Sequence, residues 1–345
     1  MRSAFLISLA LLGCSTGSSG VGDDDDDDEP AADAAAAKDG PSSAIDAGVS
    51  IDAASTPDGP GIGELCFSGL GDPNQPRPNY DQFNPTVGTH CAGTNHQAIT
   101  GIEKVVFLGD SITEGTPPTL PTQYYREVLA WRLRQAWGFG LEVTECSAWG
   151  ARADDLLMPP HQQIHDCFAS PEPKRTLVIM TIGGNDMSSF LEDAQGGDTP
   201  AQTIARVDEM LAMLDDAVRY LKDPVNFPSG SHVVFTNIYE FTDATGDLES
   251  CPGAALAGFS GEAAALMRPA YVHANEQYMR IAVERDVDLV FSLENFCGHG
   301  FHADDPQSEC YRGPGTPTWF DLTCIHPNPA GHTALADLFY RTIME

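Results

Sequence analysis

The sequence predicts an α/β fold, a three-layer α/β/α sandwich around a five-stranded parallel sheet. Two observations carry this prediction. From about residue 103 onward, short apolar runs alternate with helical patterns in which apolar residues recur every three to four positions. The runs are mostly continuous rather than alternating, the pattern of strands buried on both faces.

Residues 1–13 read as a processing segment. Arg2 supplies a short positive region and Ala4 to Leu12 an apolar one, too short to span a bilayer. Leu11-Leu12-Gly13-Cys14 resembles a bacterial lipobox, which implies lipidation of Cys14 and a mature chain that begins there. An ordinary signal peptide with an incidental Cys14 is the alternative. Acyl chains on one cysteine hold a protein on a membrane without a spanning helix. The expected location is therefore the bacterial cell envelope, lipid-anchored and extracytoplasmic, at the outer membrane or cell surface.

Residues 14–61 predict a disordered acidic and Ala-rich tether. They include six consecutive aspartates (Asp23 to Asp28), and residues 14–60 carry twelve acids against one base, Lys38. With so few large apolar residues the segment cannot offset the entropy of ordering, and like charges extend it. Residues 62–102, rich in Pro, Gly and Asn, predict a loop-rich extension, and 103–345 the folded domain. The whole chain has 50 acidic and 18 basic side chains and a formal net charge of -32, which argues against nucleic acid as a partner. A monomer is expected.

Of nine cysteines, eight remain once Cys14 is set aside, an even number that suggests up to four disulfides beyond an export signal. Cys66 with Cys91 and Cys146 with Cys167 are the pairs suggested by proximity in sequence. No C-x-x-C is present, so a zinc ribbon is not expected.

Within the domain the strand candidates are Lys104–Leu108, Leu141–Cys146, Thr176–Ile182, His232–Asn237 and Asp286–Phe291. Helices are predicted over 122–137, 203–222 and 262–285, with Pro269 near a start or a kink of the third. In the second, Ile204, Val207, Leu211, Leu214, Val218 and Leu221 form one apolar face, and Asp223-Pro224 ends it. The last helix follows Asn328-Pro329, an N-cap with Pro at the first helical position, and buries Leu335, Leu338, Phe339 and Ile343.

Open parallel sheets bind ligands outside the carboxyl ends of their strands. Four blocks stand there or near the C-terminus: Gly109-Asp110-Ser111, Ser147-Ala148-Trp149-Gly150, Gly183-Gly184-Asn185-Asp186, and Asp321-Leu322-Thr323-Cys324-Ile325-His326. Each alone has a plain structural reading: Ser111 as a helix cap, Gly150 and Gly183 as turn residues, Asn185 as an Asx turn. Together, in this order, they resemble the blocks of the SGNH hydrolase superfamily, the GDSL-type esterases and lipases. The family's Ser, Gly, Asn and His match Ser111, Gly150, Asn185 and His326. The resemblance spans roughly residues 103–345 and implies a flavodoxin-like sheet and ester hydrolysis through an acyl-enzyme.

The chemistry also follows from the residue types. A serine hydroxyl needs a base to take its proton, and a neutral imidazole suits that near pH 7. The oxyanion that develops needs aimed donors, and the N–H of Ser111, the N–H of Gly150 and the amide of Asn185 supply three. Asp110 and Asp186 read as local hydrogen-bonding residues rather than as acids or bases.

One departure stands out. The family places an Asp three positions before the histidine, and here that position is Thr323. Asp321, five before, reaches the imidazole if the chain shifts, because residues two apart in an extended segment share a face. The alternative is that the backbone carbonyl of Thr323 orients His326. His161 and His165 lack the glutamate of a metalloprotease motif, so no metal is expected. The segment from Cys297 to His302 is expected to be a disulfide-pinned loop, and Trp149, Trp319 and Phe320 are candidate cleft residues.

The expected function is that of a serine esterase on small-molecule or glycan esters, working without a cofactor. A carbohydrate O-acetyl esterase is the alternative. From a different class, a surface binding lipoprotein with an inactive site is another.

Overall fold

The computed structural model of the chain describes residues 60–71, 74–253 and 261–345. The signal segment, Cys14 and all but the last two residues of the tether lie outside the described residues.

Five strands form one sheet: β1 (Lys104–Gly109), β2 (Glu142–Glu145), β3 (Thr176–Thr181), β4 (Ser231–Thr236) and β5 (Asp288–Val290). Their order is β2-β1-β3-β4-β5, and every pairing is parallel. This is the doubly wound flavodoxin-like order, whose direction of winding reverses between β1 and β3. The central strands β1 and β3 are buried along their whole length, whereas β2, at one edge, is partly exposed. Both edge strands are shorter than their apolar runs suggest, and the outer side of β5 is covered by the extension: Thr94 N donates to Leu289 O and Phe291 N to Ala92 O, each at 2.9 Å.

Among the described residues, five long helices cover the two faces: α1 (Tyr125–Trp137), α2 (Gly184–Gln195), α3 (Pro200–Lys222), α4 (Gly261–Arg285) and α5 (Pro329–Met344). Alternate residues of a strand point to opposite faces. Val106 and Leu108 of β1 accordingly join a core with Leu211, Leu214 and Val218 of α3 and Ala274 and Tyr278 of α4. Val105 and Phe107 join a second core with Leu129 and Leu133 of α1 and Leu335 and Phe339 of α5. Covered faces on both sides account for the continuous apolar runs.

Helix boundaries follow local chemistry. α3 starts at Pro200, three residues before the predicted start at 203, because Thr199 and Gln202 form a capping box: Thr199 N donates to Gln202 Oε1 at 2.9 Å, and Gln202 N to Thr199 Oγ1 at 3.4 Å. Asn328 caps α5, its Oδ1 accepting from Ala330 N and Gly331 N at 2.9 and 3.0 Å. Pro269 lies inside α4, where it removes one backbone donor without ending the helix.

Four disulfides are present among the described residues, including the two pairs expected from proximity, Cys66–Cys91 and Cys146–Cys167. The first ties the loop-rich extension to itself. Cys297–Cys310 closes the loop after β5, and Cys251–Cys324 joins segments 73 residues apart.

Candidate active site

Ser111 follows β1 directly. Gly109 takes φ 119°, and a Cβ there would collide with the carbonyl oxygen of Thr181 on β3. Only glycine lets the two central strands stay paired to their ends. The short helix Ser111–Glu114 then begins, capped by Asp110, whose Oδ1 accepts from Ile112 N at 3.0 Å and from Thr181 Oγ1 at 2.8 Å. The cap is thus Asp110, and the Ser111 hydroxyl is left for another partner. Asp110 is buried, and that burial pushes its carboxyl up to about 6, opposed by these hydrogen bonds.

The partner is His326. Ser111 Oγ and His326 Nε2 stand 2.8 Å apart across 215 residues of sequence. His326 sits on a loop that doubles back on itself: Phe320 and Pro327 pair as an antiparallel bridge, and Asp321 N donates to the carbonyl of His326 at 3.0 Å. Asn328 fastens the base of this loop, its Nδ2 donating to Thr318 and Phe320 carbonyls at 2.7 and 3.1 Å. Burial lowers the His326 pKa below the usual imidazole value, and the nearby Asp321 charge opposes that shift. His332, one turn into α5, is pushed down to about 4, chiefly by burial, and is neutral near pH 7.

Behind the imidazole stands Thr323. Its Oγ1 lies 2.8 Å from His326 Nδ1 and 2.5 Å from Asp321 Oδ1, and its backbone N–H donates to the same Oδ1 at 2.8 Å. Asp321 touches Thr323, two residues on, rather than the imidazole. The Thr323 group that meets Nδ1 is the hydroxyl and not the carbonyl. A hydroxyl in that place has no signature in a search for carboxylates, although a polar residue three before the histidine was visible in the sequence.

The Cys251–Cys324 disulfide clamps this loop, with the two Cα atoms 5.8 Å apart. Its removal is expected to cost activity out of proportion to stability, because a displacement of about 1 Å at a reacting group costs on the order of 10²-fold. The test is kcat and Tm of the Cys251→Ser/Cys324→Ser variant. Equal kcat to the parent would show that the loop holds without the clamp.

The other two blocks flank Ser111. Ala148 N donates to Gly109 O at 2.9 Å, and the Trp149 indole N–H to Gly115 O at 3.0 Å, which ties the loop after β2 to the end of β1. Gly150 has φ 78° with open space around its Cα, so its backbone conformation rather than crowding favours glycine. Asn185 is the second residue of α2, and its Nδ2 donates to Ala151 O at 2.9 Å. An amide nitrogen has two hydrogens, so one donor remains. Asp186 accepts from Ala153 N at 3.2 Å and is raised to about 7, chiefly by burial. All these residues gather where β1 and β3 end, at the reversal of the winding order.

The remaining candidates have structural surroundings. His165 packs edge-on against Tyr220, with ring centroids 5.3 Å apart. The loop from Cys297 to His302 is pinned by its disulfide and by Asp243, whose carboxylate accepts from the backbone N–H of Gly298, Gly300 and His302. Trp319 stacks on His299 with centroids 3.5 Å apart, and Phe320 is buried in the core. Trp149, in contrast, is 58% exposed beside Gly150. Leu322 and Ile325, on either side of Thr323 and Cys324, are 77% and 49% exposed.

A family model described as GDSL-like lipase/acylhydrolase matches residues 107–334. Among solved structures, an extracellular lipase from Streptomyces rimosus is similar at 19% identity, over 68% of this chain and 97% of that one, with a TM-score of 0.43. Phospholipase A1 from Streptomyces albidoflavus NA297 is similar at 18% identity, over 70% of this chain and 98% of that one, with a TM-score of 0.44. The acetyl xylan esterase AlAXEase is similar at 16% identity, over 69% and 98%, with a TM-score of 0.43. No curated protein matches.

Proposed function

The chain belongs to the GDSL-like lipase/acylhydrolase family, hydrolases of ester bonds, and we propose that it cleaves carboxylic esters through an acyl-enzyme on Ser111. The observation that carries this reading is the 2.8 Å contact between Ser111 Oγ and His326 Nε2 at the carboxyl ends of the central strands.

In the first half-reaction Ser111 Oγ bonds to the ester carbonyl carbon while its proton passes to His326 Nε2. The oxyanion is held by the N–H groups of Ser111 and Gly150 and the free donor of Asn185. Collapse breaks the bond to the alcohol oxygen, which leaves with the proton from Nε2. In the second half-reaction water gives its proton to Nε2 and bonds to the acyl carbon. Expulsion of Ser111 Oγ, which regains that proton, releases the acid. Asp321 stabilises the imidazolium that forms in between.

Exposed Trp149, Leu322 and Ile325 beside the proposed site favour esters with an apolar acyl group over glycan acetates. The test is a series of acyl esters from acetate to long chains beside acetylated glycans, with Ser111→Ala as control. Turnover that rises from acetate toward longer chains supports the reading. Acetate release from glycans that exceeds every other rate supports the carbohydrate O-acetyl esterase instead.

The location belongs to the same proposal. Four disulfides fit an oxidising compartment, and Leu11-Leu12-Gly13-Cys14 supplies the acylation site of a lipid-anchored envelope protein. Cys14→Ser is expected to move the protein from the membrane fraction to the soluble fraction. A variant that stays with the membrane would contradict the anchor.

A further inference from the structure

We propose that Thr323 is a positioning residue for His326, whose hydroxyl accepts the Nδ1 proton of the imidazole and donates its own to Asp321. The carboxylate then acts on the base through one intervening hydroxyl. The proposal rests on the reading of Ser111 and His326 as nucleophile and base.

Hydrogen bookkeeping fixes the direction of every bond. To take the Ser111 proton, His326 Nε2 must be unprotonated, so the neutral ring carries its hydrogen on Nδ1. The atom facing Nδ1 at 2.8 Å is Thr323 Oγ1, which therefore accepts. Its single hydrogen is then directed at Asp321 Oδ1, 2.5 Å away, the oxygen that also accepts from Thr323 N at 2.8 Å. When Nε2 takes the serine proton, the ring becomes a cation with a hydrogen on each nitrogen. Nothing leaves Nδ1, the hydroxyl keeps its hydrogen, and the carboxylate stays ionised.

The backbone explains why an intermediary is needed. Asp321 and His326 face each other across the doubled loop, joined by Asp321 N to His326 O. Their five-residue separation leaves a gap between side chains that the Thr323 hydroxyl fills. A turn alone would not call for a charge: an asparagine at 321 would accept from Thr323 N and Oγ1 equally well. The carboxylate is nevertheless buried, with Oδ2 lacking a hydrogen-bond partner among the described residues. Such a charge is costly unless it acts on another charge, and the one that forms nearby is the imidazolium.

The experiment compares Thr323→Ser, Thr323→Val, Asp321→Asn and the Val/Asn double variant across about pH 5 to 9, where the imidazole titrates. Neutral His326 is the active form, so kcat/KM rises with pH through its pKa. The charges about it are Asp321 and His332, and His332, pushed down to about 4 by burial, His326 and Arg126, is neutral near pH 7. Thr323→Ser is expected to stay within about threefold of the parent, because the hydroxyl remains. Thr323→Val is expected to lose on the order of 10²-fold in kcat with KM little changed, short of the roughly 10⁴-fold cost of spoiling a directly bonded carboxylate. In Thr323→Val and Asp321→Asn the acid limb moves to lower pH, since each loses support for the imidazolium. The double variant is expected to be no worse than the poorer single one, as for groups acting in series.

A Thr323→Val protein with parental kcat and an unmoved acid limb overturns the proposal, while an inactive Ser111→Ala keeps the esterase reading intact. Should Thr323→Val fail to fold, Asp321→Asn, which preserves both contacts to Thr323, decides alone: parental kcat with an unmoved limb overturns the relay. Turnover retained in Ser111→Ala removes the reading and the relay together.

Discussion

Ser111→Ala is expected to lower kcat for a carboxylic ester by about 10⁴–10⁶-fold, because nucleophile and base act as a unit and neither replaces the other. The fold should not change. Ser111 Oγ bonds to His326, whereas the turn is held by Asp110, Thr181 and the glycine at 109. Melting temperature and near-ultraviolet circular dichroism should match the parent. A variant that is inactive because it is unfolded would show it in both, and a folded variant with substantial turnover would remove Ser111 from the chemistry.

Asn185→Ala is the second large effect. If its free Nδ2 hydrogen stabilises the oxyanion, the loss falls on the transition state and little on the bound ester. A cost of about 10²–10³ in kcat is expected, roughly 3–4 kcal/mol, with KM nearly constant. The same change removes the bond from Asn185 Nδ2 to Ala151 O, a net contribution to stability of about 1 kcal/mol. The two consequences separate in the measurement: a fall in Tm with unchanged kcat would make Asn185 a loop fastener and no more.

Much of this architecture is written locally in the chain. Val105, Val106, Phe107 and Leu108 have no polar residue among them because helices lie on both sides of β1. The face from Val207 to Leu221 and the cap at Asn328 are equally direct, since each depends on neighbours a turn away. The helix α2 is harder to see. It opens with Gly184, Asn185 and Asp186, which favour turns, and its apolar residues Met187, Phe190, Leu191 and Ala194 carry the helical spacing only after that polar start. The true start of α3 was visible in Thr199, Pro200 and Gln202 but lies outside the apolar face.

The same division holds at the site. Ser111, Gly150, Asn185 and His326 stand in recognisable blocks because each needs its own local backbone. The order of helix cap and nucleophile, with Asp110 as cap, follows once the dihedral angles are known. Two relations needed tertiary structure. Cys251 meets Cys324 across 73 residues, which proximity in sequence cannot suggest. Thr323 stands between Asp321 and His326 because the chain turns at Asp321, with Cys324 N donating to Asp321 O at 3.0 Å, so the expectation of an extended segment does not hold there.

The central claim is that Ser111 is a nucleophile activated by His326. An ester-mimicking phosphonate, which reacts with an activated serine at the rate of its attack, tests this most directly when followed by mass spectrometry of the digested protein. The account predicts one adduct, on the peptide containing Ser111, formed in step with loss of esterase activity and much slower in His326→Ala. Loss of activity with the adduct on another residue, or full ester turnover with Ser111 unmodified after prolonged exposure, would contradict it.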